Sequence, residues 1–356
     1  MRLLLYTDSD YFSGAEKVLL SLAKHLRPSQ GWLVVNPKIA ARFALPETRP
    51  IRVQALADRS KLKIWLMARF VRLLRELQPT ACLVNMQTPY ANTLFLLAAW
   101  LCRVQVITVW HFAQENHQVR GLLRPLKLLA YKLAFGLSQT IVTVSAWHRN
   151  VLISQFGSPP SKVQTIPNGV AAPAIEQSRR STEERILLSV GTLEPAKGQS
   201  ILLEALVLIQ QPWRLLMVGA GPDQVNLEQL TAKLNLTSRV SFEGYQVLTA
   251  PYYQQGDVFV HPSLAENLSM AIIEALSFGL PVIAHRLGGN PELITEGQNG
   301  WLIAPGDIAG WRQAISEALS CDLAPYRAQA RHRFESRFTL TKMVESYQQL
   351  LENVSR

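Results

Sequence analysis

Cysteine is scarce in this sequence: Cys82, Cys102 and Cys321 are the only three in 356 residues. They sit without CxxC or metal-ligand spacing, and an odd count in an intracellular chain suits buried free thiols, so no chemistry is assigned to them. Long apolar runs are also missing. The best candidate, TLFLLAAWLC, is stopped by Arg103, short of the roughly 20 residues a spanning helix needs. The start, MRLLLYTDSDYFSG, turns polar after three consecutive leucines, too little for a signal-peptide core, so a cytoplasmic location is expected. A GxGxxG fingerprint is absent, because GAGPDQ lacks the third glycine; this argues against a dinucleotide oxidoreductase. The pI is near 9.7, yet no aromatic and basic platform or nucleic-acid motif accompanies it, and no nucleic-acid partner is expected.

What is present is a chain with 48% hydrophobic residues, too long for one typical core and read most naturally as two domains. Short β-branched and leucine-rich runs alternate with helical patterns, the signature of βαβ units and parallel sheets. In the first half the strands are LLLYTD, WLVVNP, IRVQAL, ACLVNM, VQVITVWH, TIVTVS and KVQTIP. After a stretch without periodicity the pattern restarts with RILLSVG, RLLMVGAG, VSFEGY, DVFVHPS and PVIAHR. The expected organisation is a Rossmann-like domain over 1–170, a linker over 171–184, a second Rossmann-like domain over 185–325, and a helical segment over 326–356 that could pack back on the first. Ligands of such sheets bind beyond the carboxyl ends of the strands, so a cleft between two doubly wound domains is the expected site. Charge is divided unevenly: residues 1–170 hold 21 Lys and Arg against 7 Asp and Glu, and residues 171–356 hold 15 against 19.

Three turns carry candidate chemistry. RILLSVG leads through TLEPAKG into QSILLEALVLI, placing Lys197 and Gly198 at a helix N-terminus, where N–H groups, the helix dipole and an ammonium favour a phosphate. In GAGPDQ, Gly219 and Gly221 permit close backbone approach to a ligand or make a tight turn. In HPSLAENLSMAIIEALSFGLPVIAH, Pro262 opens a loop and the apolar face of a helix begins near Leu268 or Ser269. Glu266 then falls in the loop and Glu274 on the helix. A retaining glycosidase pair needs carboxyls about 5 to 5.5 Å apart, whereas eight residues of helical rise separate these by about 12 Å. The two glutamates better suit two parts of one elongated ligand, with the N–H groups from Asn267 to Met270 available to a phosphate between them.

The ordered set SVGTLEPAKG, LLMVGAGPD, VSFEGY, HPSLAENLSMAIIEALSFGLPVIA, GGNPELI and NGWLIAPGD resembles the family 4 (group 1) retaining glycosyltransferases of GT-B fold. The likeness extends upstream through VTVSAWHRNVLISQFGSPPSKVQTIPNGV to SGAEKVLLSLAKHL, so it covers nearly the whole chain. The resemblance implies an α/β fold of two doubly wound domains facing each other across a cleft. It further implies that Glu266 contacts hydroxyls of the transferred sugar, that Glu274 binds the nucleotide ribose and that Lys197 neutralises the donor diphosphate. By the same likeness the backbone of Asn267, Leu268 and Ser269 faces sugar and phosphate, Gly14 lies in a glycine turn approaching the donor, and His111 lies near the transferred sugar.

The chain departs from the family pattern at three places: Thr192 stands where arginine is common, Ser13 replaces the first glycine of a pair, and Asn267, Leu268 and Ser269 replace Gly-Phe-Gly. The implied reaction moves a hexose-type sugar from a nucleotide-diphosphate sugar to a glycan or lipid-linked acceptor, with no metal or other cofactor. A front-face substitution is favoured, in which a donor phosphate oxygen takes the acceptor proton. The alternatives are a sugar-nucleotide epimerase, a phosphorylase or a catalytically silent binding homologue. Two segments read as basic amphipathic helices. KLKIWLMARFVRLLRELQP sets Arg69, Arg72, Arg75 and Glu76 against Leu66, Phe70, Leu73, Leu74 and Leu77, and RGLLRPLKLLAYKLAF places Arg120, Arg124, Lys127 and Lys132 among leucines. Such helices suit either peripheral contact with an anionic membrane or an ordinary core-facing packing.

Overall fold

The computed structural model describes residues 1–45, 51–55, 63–87, 92–111, 119, 121–174 and 184–354. The chain divides into two compact units, Met1–Asn168 with Leu340–Arg356, and Gly169–Thr339. Residues 175–183 of the expected linker and Arg120 of the second basic segment lie outside the described residues.

In the first unit the seven expected strands are present as β1 (Arg2–Tyr6), β2 (Gln30–Val35), β3 (Ile51–Ala55), β4 (Ala81–Met86), β5 (Gln105–Trp110), β6 (Thr140–Thr143) and β7 (Val163–Thr165). They pair in the order β3-β2-β1-β4-β5-β6-β7, every neighbour parallel. The helices α1 (Gly14–His25), α2 (Lys63–Leu77), α3 (Thr93–Leu101), α4 (Arg124–Leu137) and α5 (Ala146–Phe156) connect them. All six residues of β4 are buried, which explains its unbroken apolar sequence: a parallel strand covered on both faces does not alternate.

The second unit holds β8 (Arg185–Val190), β9 (Trp213–Val218), β10 (Val240–Gly244), β11 (Val258–His261), β12 (Val282–His285) and β13 (Gly300–Ile303). Their order is β10-β9-β8-β11-β12-β13, again all parallel. Its helices are α6 (Gln199–Leu206), α7 (Gln224–Lys233), α8 (Ala250–Gln255), α9 (Met270–Ser277), α10 (Asn290–Leu293), α11 (Ile308–Ser320) and α12 (Ala324–Arg337). The strand β13 was not among those expected from the sequence. It has four residues, GWLI, opens on a glycine and is followed closely by Pro305, and is too short for periodicity to separate it from a loop. Chain order reverses between β1 and β4 in one sheet and between β8 and β11 in the other, and each reversal makes a crevice at the carboxyl ends of those strands.

The segment 326–356 is not one helix. The helix α12 belongs to the second unit, where Arg331 Nη1 donates to Ser277 O at the end of α9. A further helix, α13 (Leu340–Val354), belongs to the first unit. It buries Met343, Tyr347, Leu350 and Leu351, and its Gln348 Oε1 accepts from Arg27 N at 3.4 Å.

The two basic helices are packed differently. In α2, Phe70, Leu73 and Leu74 are core residues with Leu66 and Leu77 against them, and Arg72 pairs with Glu76 at 2.8 Å on the exposed face. In α4 only Tyr131, Ala134 and Phe135 are buried. Leu122 and Leu123, leading into the helix, and Leu126, Leu129 and Leu133 within it are all exposed.

Candidate active site

The β8/β11 reversal brings two loops together. After β8 the chain passes through a 3-10 turn, Pro195–Lys197, to Gly198, whose φ of 66° starts α6. After β11 the chain continues through Pro262 to Ser269, which caps α9 by accepting from Ile272 N at 3.4 Å. A backbone hydrogen bond from Leu264 N to Ala196 O, 2.9 Å long, ties the loops to each other. Lys197 and Glu266, 69 residues apart in sequence, therefore meet with Nζ 2.7 Å from Oε1.

Glu266 is held by a second donor. His261 Nε2 lies 3.0 Å from the same Oε1 and 3.2 Å from Ser269 Oγ. A carboxylate can only accept, so the imidazole proton facing it is on Nε2. The other oxygen, Oε2, has no partner among the described residues. Burial alone would raise the Glu266 pKa, but the His261 hydrogen bond and the His261 and Lys197 charges outweigh it and hold the carboxyl at about 2. With its side chain 11% exposed, Glu266 is a nearly dry, fully ionised carboxylate at neutral pH.

Glu274 is supported separately. Its Oε2 accepts from the buried Tyr253 hydroxyl at 2.9 Å, and that ring stacks on Phe278 with centroids 5.4 Å apart. Burial and the Glu274 charge push the Tyr253 phenol well above its ordinary value, so it remains a donor. The 12 Å separation expected between the two glutamates assumed helix throughout. The helix begins only at Met270, and Glu266 stands in the loop before it, so helical rise does not set that distance.

The remaining candidates of this unit lie around these loops. Thr192 Oγ1 donates to Glu194 Oε1 at 2.8 Å on the surface. Asn267, Leu268 and Ser269 are buried, and the N–H groups of Met270 and Ala271 have no acceptor among the described residues. The glycine at Gly219 is explained by packing within the protein: its φ is 145°, and a Cβ would lie 1.8 Å from Gly191 O. The loop after β8 occupies the space this glycine leaves.

Gly14 and His111 belong to the first unit. Gly14 opens α1 behind the capping box of Ser13 and Glu16. The buried Glu16 carboxylate takes Thr7 Oγ1 at 3.1 Å, Gln87 Nε2 at 2.9 Å and Ser13 N at 3.1 Å, so Ser13 fixes the turn where a first glycine was expected. His111 follows β5, and burial lowers its pKa to about 4. Burial takes His148, in the first turn of α5, to about 3, and the nearby His111 charge lowers it further in the same direction. Both imidazoles are neutral at physiological pH. In the turn after β1, burial raises the half-buried Asp8 to about 6. Among the described residues no group of three His, Cys, Asp or Glu side chains could hold a metal ion.

The comparisons with known proteins decide the family. Residues 172–337 match the model of the glycosyl transferases group 1, and residues 12–172 match that of glycosyltransferase family 4. The chain belongs to the group 1 glycosyltransferases. The amylovoran biosynthesis glycosyltransferase AmsK of Erwinia amylovora is 26% identical over 364 residues, covering 90% of this chain and 87% of the relative. The sulfoquinovosyl transferase SQD2 of Arabidopsis thaliana is 34% identical over 137 residues, 38% of this chain and 26% of that protein. Across several curated relatives the aligned part spans 26% to 62% of their length. Among solved structures, Anabaena HepE in complex with UDP superposes with a TM-score of 0.82 at 21% identity, over 99% of this chain and 100% of that one. That likeness shows the fold expected for this glycosyltransferase family.

Sequence reasoning missed His261 and Tyr253. His261 ends an otherwise apolar strand, VFVH, an expensive place for an imidazole unless it is paired. That mismatch was the available signal. Tyr253 had none, since a tyrosine in a short amphipathic helix reads as core.

Proposed function

We propose that this group 1 glycosyltransferase moves a hexose-type sugar from a nucleotide-diphosphate sugar to a glycan or lipid-linked acceptor, with retention of anomeric configuration. The observation that carries this reading is the Lys197–Glu266 pair, 2.7 Å long, at the carboxyl ends of β8 and β11, where a doubly wound sheet binds its ligand. Glu266 offers Oε2 to a sugar hydroxyl, and Glu274 on α9 accepts from the ribose. The N–H groups of Met270 and Ala271 and the Lys197 ammonium meet the diphosphate and stabilise the charge that grows on it as the glycosidic bond breaks. Thr192 contributes no charge, so Lys197 is the cation of this turn. In the front-face route a donor phosphate oxygen takes the acceptor proton, and the protein positions the two reactants. Gly14 and His111 of the first unit serve the same reaction, His111 as a neutral hydrogen-bonding group. Metal is not needed in this scheme, and turnover should survive EDTA.

Relatives support the substrate class. Anabaena HepE has been solved with UDP-glucose, and two relatives are named for lipopolysaccharide core and amylovoran biosynthesis. Thermal-shift measurements across UDP-, GDP- and ADP-sugars test the donor. Binding at a hundred times Kd stabilises the native state by about 2.7 kcal/mol, and Lys197→Ala should abolish the shift. A shift unchanged by Lys197→Ala, or turnover with inverted configuration by NMR, would overturn the corresponding part.

The acceptor is membrane-proximal in this reading, because α4 presents an apolar and basic surface. Leu122, Leu123, Leu126, Leu129 and Leu133 are exposed beside Arg124, Lys127 and Lys132 of the same segment. Each Lys or Arg near an anionic surface contributes about 1 kcal/mol. The face of α2, by contrast, is spent on the core. No helix among the described residues is long and apolar enough to cross a membrane. Flotation with anionic liposomes should recover the wild type and lose a Leu126→Glu, Leu129→Glu variant, while binding that persists in the variant would sink the assignment.

A further inference from the structure

Two helices of the first unit stop in left-handed turns at the amino ends of the strands, the edge of the sheet opposite the β1/β4 crevice. α2 closes with Gln78 N donating to Leu74 O at 2.8 Å and is followed by Pro79, and α3 closes with Val104 N donating to Ala99 O at 2.9 Å. The left-handed residue is Gln78 (φ 46°) in one turn and Arg103 (φ 57°) in the other. Glycine is the ordinary occupant of that position, and a longer side chain there strains the backbone. Among the described residues Asn235 is the one other non-glycine with a positive φ, and asparagine tolerates it. Gln78 and Arg103 are held against that preference, which points to a use for their side chains.

Both line one cavity of about 670 Å³, a volume within the range of small-molecule sites, about 300 to 1,000 Å³. Arg2, at the start of β1, and Arg75, in the last turn of α2, line it with Arg103. Gln78 Oε1 accepts from Arg2 Nη1 at 3.3 Å, while the guanidiniums of Arg75 and Arg103 have no carboxylate or hydrogen-bond partner among the described residues. Helix dipoles favour a cation at each of these helix ends, but they explain neither Arg2 nor the apolar wall formed by Leu101 and Val104. The hydrogen-bonding capacity left to the side chains is one-sided. Thr80 Oγ1 is taken by the main chain of Arg2, accepting from its N at 3.1 Å and donating to its O at 3.0 Å. Three guanidiniums and the Gln78 amide N–H groups remain, and all of them donate. Such a lining selects a ligand group that accepts only and carries more than one negative charge. A planar carboxylate matches one guanidinium fork, whereas a tetrahedral phosphate has oxygens for several. A bare phosphate would leave the apolar wall uncovered.

We propose that this cavity is a second binding site, for an organic phosphate ester whose phosphate is held by Arg2, Arg75 and Arg103 and whose apolar or planar body lies against Leu101 and Val104. It is separate from the loops of Lys197 and Glu266, which belong to the other unit, and it stands whether or not those loops bind the sugar donor. Ligands of a doubly wound sheet ordinarily bind at the carboxyl ends of the strands, so a site at the amino ends leaves the β1/β4 crevice free for the reaction. A soluble phosphate ester and a phospholipid headgroup offer the same chemistry to these three arginines.

The test is calorimetric titration of phenyl phosphate, which has the charge and the apolar body but neither sugar nor nucleotide, into the full-length wild type, Arg75→Gln, Arg103→Gly and Lys197→Ala. Benzoate is the planar, singly charged control. Arg103→Gly removes a guanidinium while easing the left-handed turn, so its Tm should not fall and lost binding cannot be put down to lost folding. Each arginine variant should weaken phenyl phosphate about tenfold, Lys197→Ala should leave it unchanged, and benzoate should bind the wild type about tenfold or more weakly than phenyl phosphate. Flotation with phosphatidylcholine vesicles, with and without phosphatidic acid, then identifies the source. Flotation that depends on phosphatidic acid and is lost in both arginine variants assigns a lipid headgroup, and flotation unchanged in them assigns a soluble ester. Absence of phenyl phosphate binding, binding that the arginine variants match, binding lost in Lys197→Ala, or benzoate bound equally well overturns the proposal and leaves the reading of the donor site untouched.

Discussion

Replacing Glu266 with glutamine changes one charge and almost no volume, so it isolates what the carboxylate does. In the native structure the carboxyl is held at about 2 against an ordinary 4.5, a difference worth about 3 kcal/mol at neutral pH. The sign follows from the lowered value: this stabilisation is fully present above 4.5 and is lost as pH falls from there toward 2. Glutamine would still accept from Lys197 and His261, but as a neutral group, and Lys197 is exposed enough to recover water. The net loss at pH 7 is therefore smaller, about 2 kcal/mol. For a unit of the size of Gly169–Thr339 that lowers Tm by about 4 to 8 °C. Differential scanning calorimetry at a series of pH values from 7 to 3 is the assay. The gap between wild type and Glu266→Gln should be widest at neutral pH and narrow steadily below about 4.5. A gap absent at pH 7, or one of constant size down to pH 3, would refute the account of Glu266 as a buried carboxylate ionised by its two donors.

Other perturbations separate the parts of the site. Tyr253→Phe removes the donor to Glu274 Oε2, 2.9 Å away, and should cost about 1 to 3 kcal/mol in urea denaturation while raising donor KM more than it lowers kcat; an unchanged KM would dissociate Glu274 from the donor. Gly288→Ala should cost about 3 kcal/mol or more, because its φ is 55° and the new Cβ would lie 1.8 Å from Glu266 O; near-native stability by denaturation would contradict that packing. His111, lowered to about 4 by burial, should show no imidazole titration by NMR between pH 8 and about 5. Its share of stability is present above 6.5 and lost as pH falls toward 4, and a midpoint near 6.5 would show the ring to be solvated.

Much of the fold was legible because a parallel strand covered on both faces must be apolar along its whole length. That made LLLYTD, ACLVNM and VQVITVWH readable without an alternating pattern. The strand β13 was not, since GWLI, opening on a glycine and followed closely by Pro305, is short enough to be a loop, and the helical segment at the carboxyl end hid the turn at Phe338 that sends α13 to the first unit. Lys197 was legible as a cation at the start of a helix, and Ser269 as a helix start. The role of α4 was not. Its leucines and basic residues are interspersed as those of α2 are, and only packing shows that one helix spends its apolar face on the core and the other does not.

The sequence by itself determined the local chemistry: alternating strands and helices, a basic first half, and carboxylates and a lysine in turns that helix dipoles make receptive to phosphate. Those are properties of neighbours along the chain. Only the tertiary structure decided which of them meet. The chain reversal between β8 and β11 sets the loops of Lys197 and Glu266 side by side, His261 closes on the same oxygen from the strand end, and Tyr253 reaches Glu274 from another helix. A nearly dry carboxylate keeps its charge only if cations and donors arrive from elsewhere in the chain, and strand order, which no local pattern records, is what delivers them.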